Sequence, residues 1–291
     1  MMGFFKTILS VAVTAAVVPA VMAVEVKPTG QFQAQISYYH TDVEDSTGWA
    51  LEMPDNFFGI TAVEQLANSV ILGTVELGFE PLADDALTPE VQQAYMGWNQ
   101  SVFSLAAGRM KSLEETYIVD YAGYLKGLDR GGLQAAAYIQ PFESEAVRLT
   151  TQAGQSLSFS GQMQMDPDTP EALWSLAALA STTEGTVSVT YRNVPDESAL
   201  WGMQMTWVSG TVSLSGAYMY QDEMLGYDID LSMLSNGSEG FIGYSRSKDD
   251  GKRWQLGIHQ NLAQTITSYS ELLWLPDDSS WQWTTGFQLT Y

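Results

Sequence analysis

Trp281-Gln282-Trp283-Thr284-Thr285-Gly286-Phe287-Gln288-Leu289-Thr290-Tyr291 is the most telling run of this chain. Trp281, Trp283, Phe287, Leu289 and Tyr291 share one parity; Gln282, Thr284, Gly286, Gln288 and Thr290 share the other. Successive side chains of a strand point to opposite faces, so one face is apolar and aromatic and the other small and polar. A half-buried strand of a soluble protein alternates too. Here, however, the aromatics occupy the larger face, and about ten residues is the length of a tilted strand that crosses a bilayer. The pattern is that of a strand with lipid outside and water inside.

The same alternation recurs. Over 31–39, Phe32, Ala34, Ile36 and Tyr38 oppose Gln31, Gln33, Gln35 and Ser37. Over 156–165, Leu157, Phe159, Met163 and Met165 oppose Ser158, Ser160, Gln162 and Gln164. Trp201, Met203, Met205 and Trp207 oppose Gly202, Gln204 and Thr206, and Tyr227, Ile229, Leu231 and Met233 oppose Asp228, Asp230 and Ser232. Tight-turn residues stand at Ala67-Asn68-Ser69, Asn99-Gln100-Ser101, Ala153-Gly154, Glu184-Gly185, Ser209-Gly210, Asn236-Gly237 and Asn261-Leu262. Between them fall longer, acidic connections at 41–56, 81–90, 110–145, 166–171, 194–198, 222–226, 248–251 and 276–280. Short turns alternating with longer loops predict an all-β fold, a transmembrane antiparallel β-barrel of about sixteen strands with short periplasmic turns. A barrel of that size encloses an aqueous channel.

Bulk composition agrees. The net charge is -22, from 34 acidic and 12 basic residues, which argues against nucleic acid as a partner. Charged residues are 16% of the chain, below the usual quarter, as expected if much of the outer surface does not face water. There is no cysteine, hence no disulfide framework and no thiol chemistry. Residues 1–23 read as a secretory signal peptide: a basic start, a short apolar run, then the small-residue site Val21-Met22-Ala23. The barrel domain is then 24–291, exported to the cell outer membrane. Nothing later in the chain is apolar for long enough to be a membrane helix, so a membrane-spanning reading requires a closed barrel.

The 110–145 connection is the outlier. Leu113, Tyr117, Ile118, Tyr121, Tyr124 and Leu128 are too many apolar groups to leave in water. The only large sheltered place is the inside of the barrel, so the connection is expected to fold inward.

Three stretches resemble the general porins of Gram-negative bacteria. Residues 57–66, followed by Val75-Glu76-Leu77, are similar to the second and third strands of that family. Gln93-Ala94-Tyr95-Met96-Gly97-Trp98 and then Phe103-Ser104-Leu105-Ala106-Ala107-Gly108-Arg109 resemble the family's run before its third loop. The terminal aromatic is similar to the family's assembly signal, although the family usually ends in Phe and this chain in Tyr291. The resemblance implies a homotrimer of sixteen-stranded barrels. In each, the third loop would fold into the lumen and set its acidic residues against basic residues of the wall. On the loop these would be Glu114, Glu115 and Asp120. On the wall they would be Arg109, at the family's Gly-Arg position, with Arg148 and Arg192, both lumenal by parity. Arg109 shares parity with Phe103 and Leu105, which aims it at lipid unless a bulge reverses it.

A pore needs a wetted path, a width limit and a charge pattern, but no reaction. No catalytic residue, cofactor or metal site is expected. The phosphate-loop, zinc-spacing and dinucleotide fingerprints are absent. The reading is an outer-membrane porin passing small hydrophilic solutes and ions, with a mild cation preference from the lumenal Glu76, Asp228, Asp230 and Glu271. Acidic loop positions such as Asp84, Asp85, Asp166, Asp168, Asp249, Asp250, Asp277 and Asp278 could instead hold divalent ions that bridge lipopolysaccharide. Trp98, Trp174, Trp201, Trp207, Trp254, Trp274, Trp281 and Trp283 read as interfacial girdles of an outer-membrane barrel in contact with lipid. The competing readings are a substrate-selective channel, an outer-membrane enzyme using His40 or His259, and a plugged structural or adhesive barrel.

Overall fold

The computed structural model describes residues 24–42, 46–54, 56–79, 89–119, 142–164, 173–193, 198–248 and 251–291. Outside them lie the expected signal peptide, most of the 110–145 connection with Asp120, Tyr121, Tyr124 and Leu128, and Asp84, Asp85, Asp166, Asp168, Asp249 and Asp250.

The strands run in chain order as β1 (Glu25–Thr41), β2 (Ser46–Glu52), β3 (Asn56–Gln65), β4 (Ser69–Phe79), β5 (Glu90–Gln100), β6 (Phe103–Lys111), β7 (Phe142–Ala153), β8 (Leu157–Gln164) and β9 (Leu173–Thr182). They continue as β10 (Gly185–Asn193), β11 (Leu200–Ser209), β12 (Val212–Gln221), β13 (Glu223–Ser235), β14 (Ser238–Ser247), β15 (Gly251–Ala263), β16 (Ile266–Leu275) and β17 (Ser280–Thr290). Each pairs antiparallel with its neighbour, and β1 pairs with β17 from Gln31–Thr290 to His40–Trp281, which closes the cylinder. The Tyr291 amide donates to the Gly30 carbonyl, and the Gly30 amide to Tyr291, so the last residue completes the seam.

Seventeen segments make a sixteen-strand barrel because β2 and β3 share one position beside β1. β2 takes the upper part of β1 (Gln35–Glu52 to Thr41–Ser46), and β3 takes the lower part (Glu25–Val63 to Gln31–Phe57). Pro54 lies in the gap, and a proline has no amide to give to a ladder.

Three sequence expectations are corrected here. The 41–56 connection contains strand β2 and is not a simple loop. The 222–226 connection shrinks to Asp222, in the left-handed region with φ 54, between the ends of β12 and β13. The turn expected at Asn261-Leu262 comes after Ala263, because an irregularity between Asn261 and Ala263 carries the β15 ladder further.

The polarity is inverted relative to a soluble protein. Gln33, Ser37, Gln204, Asp230 and Thr284 are fully buried, while Met96 is 68% exposed and Ile258 60%. Water-soluble folds bury Ile and Met and expose Gln and Asp; here the apolar parity faces out all round. Rings cluster on that outer face near strand ends, as Tyr38 with Trp281 (5.2 Å), Tyr191 with Trp201 (4.6 Å), Tyr244 with Trp254 (4.8 Å) and Trp98 with Phe103 (5.2 Å). Indole and phenol rings of this kind suit the membrane–water interface.

Inside, glycines let side chains of next-but-one strands meet. Gly243 stands between Asp230 and Gln255, whose amide donates to Asp230 across it. Gly286 stands between Tyr269 and Gln35, and the Tyr269 hydroxyl crosses it to donate to the Gln35 carbonyl oxygen (2.8 Å). A Cβ at Gly257 would lie 2.7 Å from the Phe241 ring.

Candidate functional site

The chain leaves β6 and turns at once. Ser112 caps the turn: its hydroxyl accepts the Glu115 amide (3.0 Å), and its carbonyl accepts the Thr116 amide (3.0 Å) and hydroxyl (2.7 Å). The Ser-x-x-Glu spacing of Ser112 and Glu115 is a helix-start signature. A short helical segment follows, Glu115–Val119.

This segment lies against the inner wall. Ile118 and Val119 pack on Leu200, Ala217, Met219 and Leu225, an apolar patch on the lumenal side of β11 to β13. Gly202 makes room, since a Cβ there would lie 2.9 Å from Ile118. The Ser188 hydroxyl donates to the Tyr117 carbonyl (2.6 Å), and the Tyr117 hydroxyl bonds Ser160 (2.8 Å). Hydrophobic contact and hydrogen bonds therefore hold the same few residues.

A buried charge chain anchors the start of the segment. Arg192 Nη1 lies 3.4 Å from Glu114 Oε2 and 2.9 Å from Glu143 Oε1. Glu143 also accepts from the Gln162 amide. Gln162 in turn accepts from Arg148 Nε (2.6 Å), and Arg148 donates to the Lys111 carbonyl, where the segment begins. Glu114 and Arg192 are 0% and 5% exposed at their side chains. Burial pushes the Glu114 carboxyl above the usual carboxylate range, with Arg192 opposing that rise.

Of the residues expected from the sequence, Glu114, Arg148 and Arg192 come together, and Glu115 is buried beside them. Asp120 lies outside the described residues. Arg109 is elsewhere. It pairs with Ala94, on the outward parity of Met96 and Trp98. There its guanidinium donates to the Gln92 carbonyl (3.2 Å), lies 3.7 Å from Glu90 and stands over the Phe142 ring. The irregularity in this region falls between Gly108 and Met110 in the pairing with β7, and it leaves Arg109 on the outer parity. Sequence reasoning passed over Glu143. Glu145, with φ 54, is an extra residue on β7, so Glu143 and Arg148 face inward together despite opposite parity.

Other lumenal acids stand on β2, β4, β13 and β16. Glu52 accepts from Gln35 (2.7 Å) and Ser37 (2.6 Å). His259 bonds Glu271 (2.7 Å) beside the rings of Phe241 and Tyr269. Asp228 and Asp230 are buried on the same side. Glu76 accepts from Gln93 (3.3 Å) on the β4–β5 wall. The arrangement can narrow and charge a water-filled path.

Comparison with known proteins gives the following. A family model described as Gram-negative porin matches residues 9–274. No curated protein matches the sequence. Among solved structures, OmpF of Salmonella typhi in complex with daunomycin superposes with a TM-score of 0.75 at 13% identity, covering 91% of this chain and 97% of that one. A loop-deletion mutant of OmpT, an outer membrane protein of Vibrio cholerae, gives 0.74 at 13% identity over 92% and 100%. An anion-selective porin from Comamonas acidovorans gives 0.73 at 11% identity, again over 92% and 100%.

Proposed function

Because this chain belongs to the Gram-negative porin family, an outer-membrane family of non-enzymatic channels, we propose that it is a passive diffusion pore for small hydrophilic solutes and ions, mildly preferring cations. The observation that carries the reading is the segment 112–119 tied to the polar inner wall through Arg192, Glu114 and Glu143. It narrows one side of a barrel whose inner parity is polar. Size exclusion occurs beside it, and Glu114, Glu115, Glu143, Arg148 and Arg192 set the local field. Asp120 joins them by its place in the sequence; Arg109 does not, for it stands on the outer face.

The charge balance supports the cation preference. Arg192 is matched by two carboxylates, whereas Glu52, Glu76, Asp230 and Glu271 line other parts of the wall in a chain of net charge -22. The family likeness supports a homotrimer, and residues 1–23 have the composition of a cleaved export signal.

Reconstitution in a planar bilayer tests the proposal. Stepwise currents, often in threes, and a reversal potential of cation sign across a salt gradient are expected. Silence from folded protein would show a plugged barrel. Conductance that saturates and is blocked by one solute would favour a selective channel instead.

A further inference from the structure

The short-turn end of the barrel carries a hollow of about 230 Å³, lined by Asn99, Gln100, Phe103, Ser104, Thr150 and Gln152. It sits where β5 turns into β6 and against β7, on the periplasmic side in barrels of this class. Asn99, Ser104 and Thr150 stand opposite one another on those three strands, and Ser160 of β8 continues the row. The row faces the lumen, because Thr150 bonds Ser160 (2.8 Å) and Ser160 bonds the Tyr117 hydroxyl of the inward segment (2.8 Å). Gln152 follows Thr150 on the same face of β7. The Phe103 ring turns the other way, against Trp98 on the outer face (5.2 Å), so the inner lining is three carboxamides and two hydroxyls.

None of the lining residues is ionisable, whereas Arg192, Asp230 and Glu271 line the wall elsewhere. The Ser104 hydroxyl and the carboxamides of Asn99, Gln100 and Gln152 make no hydrogen bond to other described residues. Gln100 and Gln152 are exposed, and Asn99, Ser104 and Thr150 are half-buried, so the hollow is open to a solute in the lumen. A carboxamide offers two donors and an acceptor oxygen, and a hydroxyl both donates and accepts. The matching solute therefore donates and accepts at several points and carries no charge. A cation finds no carboxylate here, an anion no guanidinium or ammonium, and an apolar solute no ring. A polyhydroxylated solute meets every group, and one of its hydroxyls on Thr150 lengthens the chain that runs through Ser160 to Tyr117. The volume equals that of about eight waters at about 30 Å³ each. It falls below the about 300 Å³ at which sites for drug-sized ligands begin. That is room for one sugar ring and not for a chain of them.

We propose that this hollow is a subsite for a single ring of a neutral sugar at the periplasmic mouth of the lumen, held by the side chains of Asn99, Ser104, Thr150 and Gln152. Its hydrogen bonds replace bonds to water and gain little each, so the dissociation constant is on the order of 1–10 mM. Binding of that strength holds a solute briefly and lets it leave. The site is independent of what the lumen conducts, since a plugged barrel of the same fold would carry it equally.

The test titrates the full barrel, in a zwitterionic detergent without sugar, with D-glucose and separately with choline, sodium gluconate and maltotriose, and reads binding by saturation-transfer NMR. Glucose is expected to give a saturable signal and to bind more tightly than choline or gluconate. Asn99→Ala with Gln152→Ala weakens it roughly tenfold, from a factor of about three for each lost hydrogen bond. Ser104→Leu fills the hollow and abolishes the signal. A heat-modifiable gel shift shows that each variant is folded, and the comparison of solutes on the unsubstituted barrel stands even if a variant fails to fold. No ion current enters the measurement, so a failure of the sugar site and a failure of the channel reading are distinguishable. Absence of a saturable glucose signal, equal affinity for choline and glucose, or a folded double variant with unchanged affinity overturns the proposal. Maltotriose bound tenfold or more tightly than glucose would assign the sugar to an extended track along the wall and likewise overturn it.

Discussion

Arg192 is the residue on which the inward segment turns. It meets Glu114 from the connection and Glu143 from β7, all three buried. Removing one partner of a buried pair strands the other charge, at a cost of about 3–5 kcal/mol. Arg192→Gln should therefore release residues 112–119 from the wall. The expected readout is a larger, noisier single-channel conductance; a variant with unchanged conductance and noise would show that the segment is held otherwise. Glu114 adds a pH dependence. Its carboxyl is held above the usual range by burial, so the docked segment binds that proton more tightly than the undocked one. Docking is then strongest below the ordinary carboxylate pKa and weakens as pH rises through the raised value. Conductance should rise with pH across that window, and Glu114→Gln should flatten this part of the profile. An identical profile in the variant would remove Glu114 from the account.

At the level of elements, the narrowing depends on a match between a short helix and a sheet. Ile118 and Val119 meet an apolar patch on an otherwise polar wall, and Gly202 lets Ile118 come close. Burying an Ile side chain is worth about 1.5–3 kcal/mol, comparable to one well-formed buried contact of the charge chain. Gly202→Leu fills the space that Ile118 occupies on the inner face of β11. It should widen the path, measured as faster entry of larger sugars in a liposome-swelling assay, with barrel assembly intact. Unaltered solute cut-off would mean that residues 112–119 do not set the width. The β2–β3 break is the other element-scale feature: Pro54 divides one position of the barrel between two ladders on β1.

At the scale of the whole molecule, lipid replaces the protein core as the sink for apolar side chains, and the lumen takes the polar ones. Fixed lumenal charges act through water, so their reach follows the Debye length, about 10 Å at 0.1 M salt and about 3 Å at 1 M. The cation preference should accordingly shrink as salt rises over that range. Reversal potentials measured at a constant concentration ratio and increasing mean salt would show it. A preference independent of salt would point to direct coordination at the narrowing.

The alternation of Trp281 to Tyr291, repeated along the chain, was enough to specify strands, their faces, a closed barrel and the lumenal side of Arg148, Arg192, Asp228, Asp230 and Glu271. A period of two depends only on local backbone geometry and on which solvent each face meets. Parity failed where the ladder gains a residue: at Glu145 it concealed Glu143, and after Asn261 it displaced a turn. Strand β2 was missed because its pairing partner, the upper part of β1, is defined by closure and not by its own pattern. Arg109 stands where its parity with Phe103 and Leu105 aims it, but which carboxylates Arg192 would gather and that Arg246 faces Lys252 follow from register between strands. Register is set by pairing across the barrel, through contacts between residues far apart in the chain, and no local period encodes it.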